Sequence, residues 1–350
     1  MMGGGYTTSP GSYPQGGRKP GDTGQAGDVL QETLRSEDEV DESYEEYVED
    51  TNITDRQGEK ISDRRDVLVG ILDGNLAVED SRLIGSFTRG TMTGPLKQDS
   101  DADVMVVLDA DKHRDWINQE NGPTNALRAI KRRIENDPRF SQTDVKIDQN
   151  AVKVKYHDST IEIVPAFRYS EVPHADHPSS GFNLFNDASD GYAIPDTHGQ
   201  QSWQGTNPRK YKQMFDARDE AHNGRVSGLT RAAKDWADQN NVPVRSYHME
   251  IMVYNYFEEK ARRGEPVPSS YSELTREFMQ SVPSRVQSRA EEPVYGEAVD
   301  KGMSRSERRK AAEKAKQAGQ KLEEAKRLKE QGKTEEAKEK LREVHGGKFN

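Results

Sequence analysis

Cysteine is absent from the 350 residues, which excludes disulfides and Cys-ligated zinc or iron–sulfur sites. Apolar residues are scarce: 31% of the chain is hydrophobic against 32% charged, and the mean hydropathy is −1.03. A chain that is globular throughout usually holds roughly 45–50% apolar residues, Gly included. Part of this one is therefore not core, and it reads as one mid-sized folded unit with polar extensions. No run approaches the ~20 apolar residues of a membrane span. The N-terminus, MMGGGYTTSPGSYPQGG, has no apolar signal-peptide stretch. These shortages predict a soluble, cytoplasmic protein that does not engage a membrane. The eight His residues include no His-x-x-x-His pair, which argues against a dedicated zinc site.

Positive charge is also short, and unevenly so. Residues 301–350 hold 16 Lys/Arg against 9 Asp/Glu, a net of +7, so the first 300 residues carry −17 of a whole-chain charge of −10. Affinity for a nucleic-acid backbone comes largely from Lys and Arg neutralising phosphates. A body this acidic argues against a long bound RNA or DNA.

Residues 1–36 read as a flexible tail, its first 27 residues rich in Gly, Ser, Pro and Thr. Residues 37–50 (EDEVDESYEEYVED) place Val40, Tyr44, Tyr47 and Val48 at helical spacing. An amphipathic helix and a solvated acidic run fit that segment equally. Ile61, Val67, Leu68 and Ile71 make a helical stripe over 59–73, and a short apolar strand ends at LIGSF. A polar loop leads into ADVMVVLD, which has the β-branched content of a buried strand. A helix follows over 123–136, then strands at 143–148, 151–156 and 160–167, the first two forming a hairpin. Helical periodicity returns over 208–221, 225–240, 246–262 and 270–281. From 291 the chain is Ala/Glu/Lys/Arg-rich, with stripes Leu322/Ala325/Leu328 and Ala337/Leu341/Val344. That predicts two short helices, mainly solvated, because one helical pair buries little. The expected divisions are a tail over 1–36, a core domain over 37–205, a helical domain over 206–290 and a charged helical extension over 291–350.

The chemistry concentrates in LIGSFTRGTMTGPLKQDSDADVMVVLD. Asp101 and Asp103 open a strand one residue apart, so both carboxylates leave by the same face. Such a pair repels unless a cation sits between them, and Mg²⁺ suits hard oxygen ligands and substrate phosphates. Glu162 lies between Ile161 and Ile163 in a buried strand, a costly place for a charge without a partner. Three carboxylates around two metal ions equip a site for phosphoryl or nucleotidyl transfer. Gly85 lets backbone approach a phosphate closely, and the Ser86 hydroxyl offers it a hydrogen bond.

Strand, Gly-Ser, loop, Asp-x-Asp and a later buried acid together resemble the polymerase-β-type nucleotidyltransferase core. More narrowly, GSFTRGT (85–91), SDADVMVVL (100–108) and IEIVPAF (161–167) resemble the branch of oligoadenylate synthases, cyclic GMP-AMP synthase and the bacterial CD-NTases of antiphage signalling. YAIPD (192–196), SWQGTNPRKY (202–211), LTRAAKDW (229–236) and VRSYHMEIMV (244–253) are similar to that bacterial group's helical half. The resemblance implies an α+β fold: a mixed sheet with helices, then a helical domain, with the active site in the cleft between two lobes. It implies that Asp101 and Asp103 hold two Mg²⁺ ions, with Mn²⁺ as substitute, and that Glu162 completes the site and favours loss of the attacking ribose proton. Gly85 and Ser86 would contact the donor triphosphate, Lys234 and Ser246 would close on it, and Tyr247 would stack on the base. Two departures stand out: the family's third acid is commonly Asp, and the loop from Ser86 to Asp101 is longer than usual.

Blander readings exist for several of these residues. Lys234 could snorkel from an exposed helix face, and Ser246 could cap the following helix. Trp203 and Trp236 read as core, and His248 as packing or a hydrogen bond. The expected function is Mg²⁺-dependent synthesis of a cyclic di- or trinucleotide from ATP and possible co-substrates such as GTP, with a regulatory protein partner engaging the termini. Two alternatives are a linear oligoadenylate or RNA-end nucleotidyltransferase and an inactive nucleotide-binding scaffold.

Overall fold

Residues 23–176, 190–197 and 201–349 are described by the computed structural model. The elements run α1 (Thr23–Asp50), α2 (Asp55–Leu76), β1 (Val78–Leu83), the single turn α3 (Gly85–Thr88), β2 (Asp101–Leu108), α4 (Arg114–Asn118) and α5 (Gly122–Glu135). Then come β3 (Asp144–Asp148), β4 (Ala151–Lys155), β5 (Thr160–Arg168), β6 (Tyr192–Asp196) and β7 (Ser202–Thr206). The remainder is helical: α6 (Pro208–Ala221), α7 (Arg225–Gln239), α8 (Ser246–Arg263), α9 (Tyr271–Arg285), α10 (Arg305–Glu330) and α11 (Thr334–His345).

Among the described residues the sheet is mixed, in the order β1-β2-β5-β4-β3, with β6 on the far end of β5 and β7 on β6. The pair that matters for chemistry, β2 and β5, runs parallel. The Val-rich run of β2 is buried on both faces: Val104, Val106 and Leu108 join the core under α2 and α5, while Met105 and Val107 pack with Ala166 and Tyr192 on the other side. Two-sided burial explains a continuous apolar run rather than an alternating one. The hydroxyl of Thr54 accepts from the Gln57 backbone N–H and the Gln57 side chain returns the bond, which fixes the start of α2.

A second core unites the helices. Tyr211, Phe215, Trp236, Phe257 and Phe278 pack there with Val40, Tyr44, Tyr47 and Val48 of α1. Residues 37–50 are thus a helix with a buried face. That face belongs to the helical lobe rather than to the sheet domain in which the sequence division places it.

Three further expectations need correcting. From Thr23 onward the expected tail is helix; residues 1–22 lie outside the described residues. The C-terminal region is not a solvated pair of short helices: α10 spans 26 residues, and Ala311, Ala315, Ala318 and Leu322 enter the helical core beside Leu341 and Val344 of α11. Lys329 binds Asp41 of α1 at 2.9 Å. One helical pair alone buries little, but α1 and α9 provide the surface that this one packs against. Finally, YAIPD and SWQGT are the paired strands β6 and β7, although the resemblance had grouped them with the helical half.

Candidate active site

Strand register places the acids. Asp103 is the Cα partner of Glu162 across the β2–β5 pair, and Asp101 is the partner of Thr160. Asp101 and Asp103 share a face by the strand's two-residue period. Burial, and then the charge of Glu162, push the Asp101 carboxyl up to about 6. Burial and the same Glu162 charge push Asp103 up to about 7, opposed by Arg89. Carboxyls raised by burial and by a neighbouring carboxylate are what a divalent cation would relieve, so the donor set fits such an ion. Among the described residues, however, no three His, Asp or Glu side chains close into a ready metal cluster. Lys153, opposite Glu162 on β4, holds its ammonium 2.7 Å from Glu162 Oε1.

Gly85 sits against Asp103. Its φ is +70°, and a Cβ at this position would run into the Asp103 carboxylate. The residue must therefore be glycine on two counts, conformation and space. The Ile84 N–H donates to the Asp103 carbonyl at 2.9 Å, latching the end of β1 beside β2. The Ser86 carbonyl accepts from the Thr91 N–H at 3.0 Å, so the loop after α3 curls back over the site.

The helical lobe supplies the opposite wall. Lys234 of α7 does not snorkel: its ammonium is buried and bonds Glu250 Oε2 at 2.8 Å and the Thr91 carbonyl at 3.1 Å. Glu250 of α8 is fully buried and also accepts from Arg89 Nε at 2.6 Å and Thr91 Oγ1 at 2.6 Å. Burial alone would raise the Glu250 carboxyl, but the Lys234 and Arg89 charges overcome it and hold it at about 2. For Lys234, burial outweighs Glu250 and lowers its pKa. Ser246 is the first residue of α8, whose N-cap is Arg245 without a side-chain bond, so the reading of Ser246 as a cap is corrected. Tyr247 is 40% exposed. Its ring stands edge-on to Tyr211 with centroids 6.1 Å apart, and the Arg89 guanidinium lies 4.7 Å from the Tyr211 centroid.

One cavity of about 540 Å³ lies between the two lobes and is lined also by Arg89, Thr91, Glu250 and Lys348. Its wall includes Gly85, Ser86, Asp101, Asp103 and Glu162 from the sheet lobe, with Lys234, Ser246 and Tyr247 from the helical lobe. All eight candidates are thus brought together. Trp203 and Trp236 are core, as expected. His248 is buried and its Nε2 lacks a hydrogen-bond partner, so of its two expected roles packing is the one observed.

Sequence reasoning missed Arg89, Thr91, Glu250, Lys153 and Lys348 as parts of this site. Arg89 and Thr91 stand inside GSFTRGT, and Glu250 is an acid within the apolar run MEIMVY; such a buried acid signals a partner. Nothing local marks Lys153 or Lys348, because their significance is a matter of what lies opposite.

Residues 39–181 match the model of the Second Messenger Oligonucleotide or Dinucleotide Synthetase domain. A probable cyclic nucleotide synthase of Bacillus cereus (strain VD146) is 29% identical over 201 residues, spanning 50% of this chain and 55% of that protein. The chain thus aligns with about half the length of this curated relative. Among solved structures, CdnC of E. coli MS115-1 with ATP superposes with a TM-score of 0.62 at 16% identity, covering 88% of this chain and 98% of that one. The Vibrio cholerae cyclic AMP-GMP synthase DncV superposes at 0.54 with 15% identity, covering 94% and 92%. At these identities the two structures speak for the fold.

Proposed function

We propose that the chain is a CD-NTase, a nucleotidyltransferase joining nucleoside triphosphates, ATP among them, into a cyclic di- or trinucleotide second messenger; the match of residues 39–181 to the synthetase-domain model supports this reading. The observation that carries the reading is the in-register pair Asp103–Glu162, with Asp101 on the same cleft, facing the buried Lys234 of the other lobe.

A ribose 2′- or 3′-hydroxyl oxygen of one nucleotide would attack the α-phosphorus of another, and pyrophosphate would leave with the bonding electron pair. Divalent cations, Mg²⁺ in this reading and Mn²⁺ as substitute, would be held by Asp101, Asp103 and Glu162 and would supply positive charge at the reacting phosphate. Gly85 would let backbone approach a phosphate closely, and Ser86 would offer it a hydroxyl. Lys234 and Ser246 present a cation and a hydroxyl to the triphosphate from the opposite wall. The half-exposed Tyr247 offers a face for base stacking. Glu162 would complete the site and favour loss of the ribose proton. A cytoplasmic location, where nucleoside triphosphates are made, and a role in antiphage signalling complete the proposal.

The acidic body, −17 over the first 300 residues, disfavours RNA-end tailing. The test is Asp101→Asn/Asp103→Asn against wild type with labelled nucleotides and Mg²⁺. Wild type is expected to release pyrophosphate and yield a product without a phosphatase-sensitive end; undiminished synthesis by the double variant overturns the assignment. A phosphatase-sensitive product would instead identify linear chains, and Mg²⁺-dependent ATP binding without pyrophosphate release a scaffold.

A further inference from the structure

One charged side chain beside the acids has no part in the reaction outlined above. Lys153 reaches from β4 into the carboxylates, its Nζ 2.7 Å from Glu162 Oε1, 2.9 Å from Asp148 Oδ2 and 3.9 Å from Asp101 Oδ2. The contact is sheltered: Glu162 is 14% exposed and Lys153 24%. Two of its three partners, Asp101 and Glu162, are groups to which the proposed function gives a divalent cation. The ammonium 2.7 Å from Glu162 Oε1 competes by its charge with any second cation brought to that carboxylate. Asp148, already bound at 2.9 Å and 54% exposed, can keep the ammonium when it leaves Glu162, and four methylenes allow that shift while the backbone stays paired.

We propose that Lys153 is a tethered counter-cation that occupies Glu162 until a divalent cation displaces it, so that the cation affinity of the site is set by competition with this lysine. The inference rests on the assignment of Asp101, Asp103 and Glu162 as cation-holding residues. Lys153 is a positioning residue, acting through Glu162 and Asp101. In the cation-free protein it limits repulsion among the acids. On loading it keeps its contact with Asp148 and leaves Glu162. If the ammonium only pairs the strands and no divalent cation enters among these carboxylates, its removal leaves Mn²⁺ binding unchanged, and this separates the two accounts.

The experiment is a Mn²⁺ titration of the full chain, free Mn²⁺ being read by electron paramagnetic resonance, at about pH 8.5 so that the carboxyls are ionised. Lys153→Met removes one positive charge within a few ångströms of the ion and is expected to tighten Mn²⁺ binding at least about tenfold. Lys153→Arg keeps the charge and is expected to stay within about threefold of wild type. Lys153→Gln gives the same comparison should the Met variant not fold. Equal or weaker binding by the neutral variants overturns the proposal. Asp101→Asn/Asp103→Asn in the same titration tests the underlying reading. Impaired binding there, with neutral variants that match wild type, rejects the lysine's role alone. Wild-type binding by the double variant rejects the cation assignment itself and the proposal with it.

Discussion

Arg89 and Glu250 come from opposite lobes and meet at 2.6 Å, Nε to Oε1, with side chains 5% and 0% exposed. Lys234 completes the group at 2.8 Å from the other carboxylate oxygen. A single carboxylate therefore holds two cations from two parts of the chain against the cleft, and the lobes are joined through it.

Glu250→Gln would leave both cations buried without their counter-charge. Breaking a buried pair in this way costs about 3–5 kcal/mol, so a lowered urea midpoint is expected. The pH dependence has a defined sign. The folded Glu250 carboxyl sits at about 2 against an ordinary 4.5, so its contribution is full above about 4.5 and is lost as pH falls toward 2. Wild-type stability should fall through that window more steeply than that of Glu250→Gln; equal slopes would show that the charge does not act as described.

Gly85→Ala meets both a φ of +70° and the Asp103 carboxylate. The left-handed conformation costs a non-glycine residue about 1–2 kcal/mol, a modest drop in melting temperature. Displacing Asp103 is more serious, since a shift near 1 Å can cost about a hundredfold in rate. Pyrophosphate release should therefore fall far more than stability does.

Lys348 lines the same cavity. Its ammonium bonds the Asp235 carboxylate and, at 2.8 Å, the Gly94 carbonyl. Asp235 is almost fully buried and takes its other bond from the Tyr47 hydroxyl at 3.0 Å. Lys348→Ala is expected to cost about 1–3 kcal/mol through the unsatisfied carboxylate. It also releases the loop before Asp101, so KM for nucleotide should rise more than kcat falls. Steady-state kinetics with a urea titration checks both.

Ending the chain at Met303 would strip α10 and α11 from the helical core. Tyr44 would lose His345 and Phe349, whose rings stand 5.3 Å and 5.5 Å away. The shortened protein is expected to lose its cooperative melting transition. A truncated chain that melts like wild type would restore the solvated reading of this region.

Much of the site was legible because its chemistry is local. Asp101-x-Asp103 at the head of a β-branched run fixes strand and face at once, and Gly85-Ser86 marks a turn. The pairing of Asp103 with Glu162 was expected from a buried acid between two isoleucines, and the parallel register supplied it. The C-terminal helices went wrong for a different reason: helical periodicity names the apolar face but not what covers it, and Leu322 and Leu341 are buried by partners far away in sequence. The β6–β7 pair was missed because Pro195 and Gly205 interrupt short runs that are held by pairing to each other and to the end of β5.

The amino-acid sequence alone determined the strands and helices that carry the acids, because spacing along one element is a property of backbone geometry. Only the folded chain decided which charges face each other: Glu250 with Arg89 and Lys234, Lys153 with Glu162, Lys348 with Asp235. Each of these pairs spans elements distant in sequence or strands joined by register. Coulomb attraction falls with distance through space and takes no account of position along the chain.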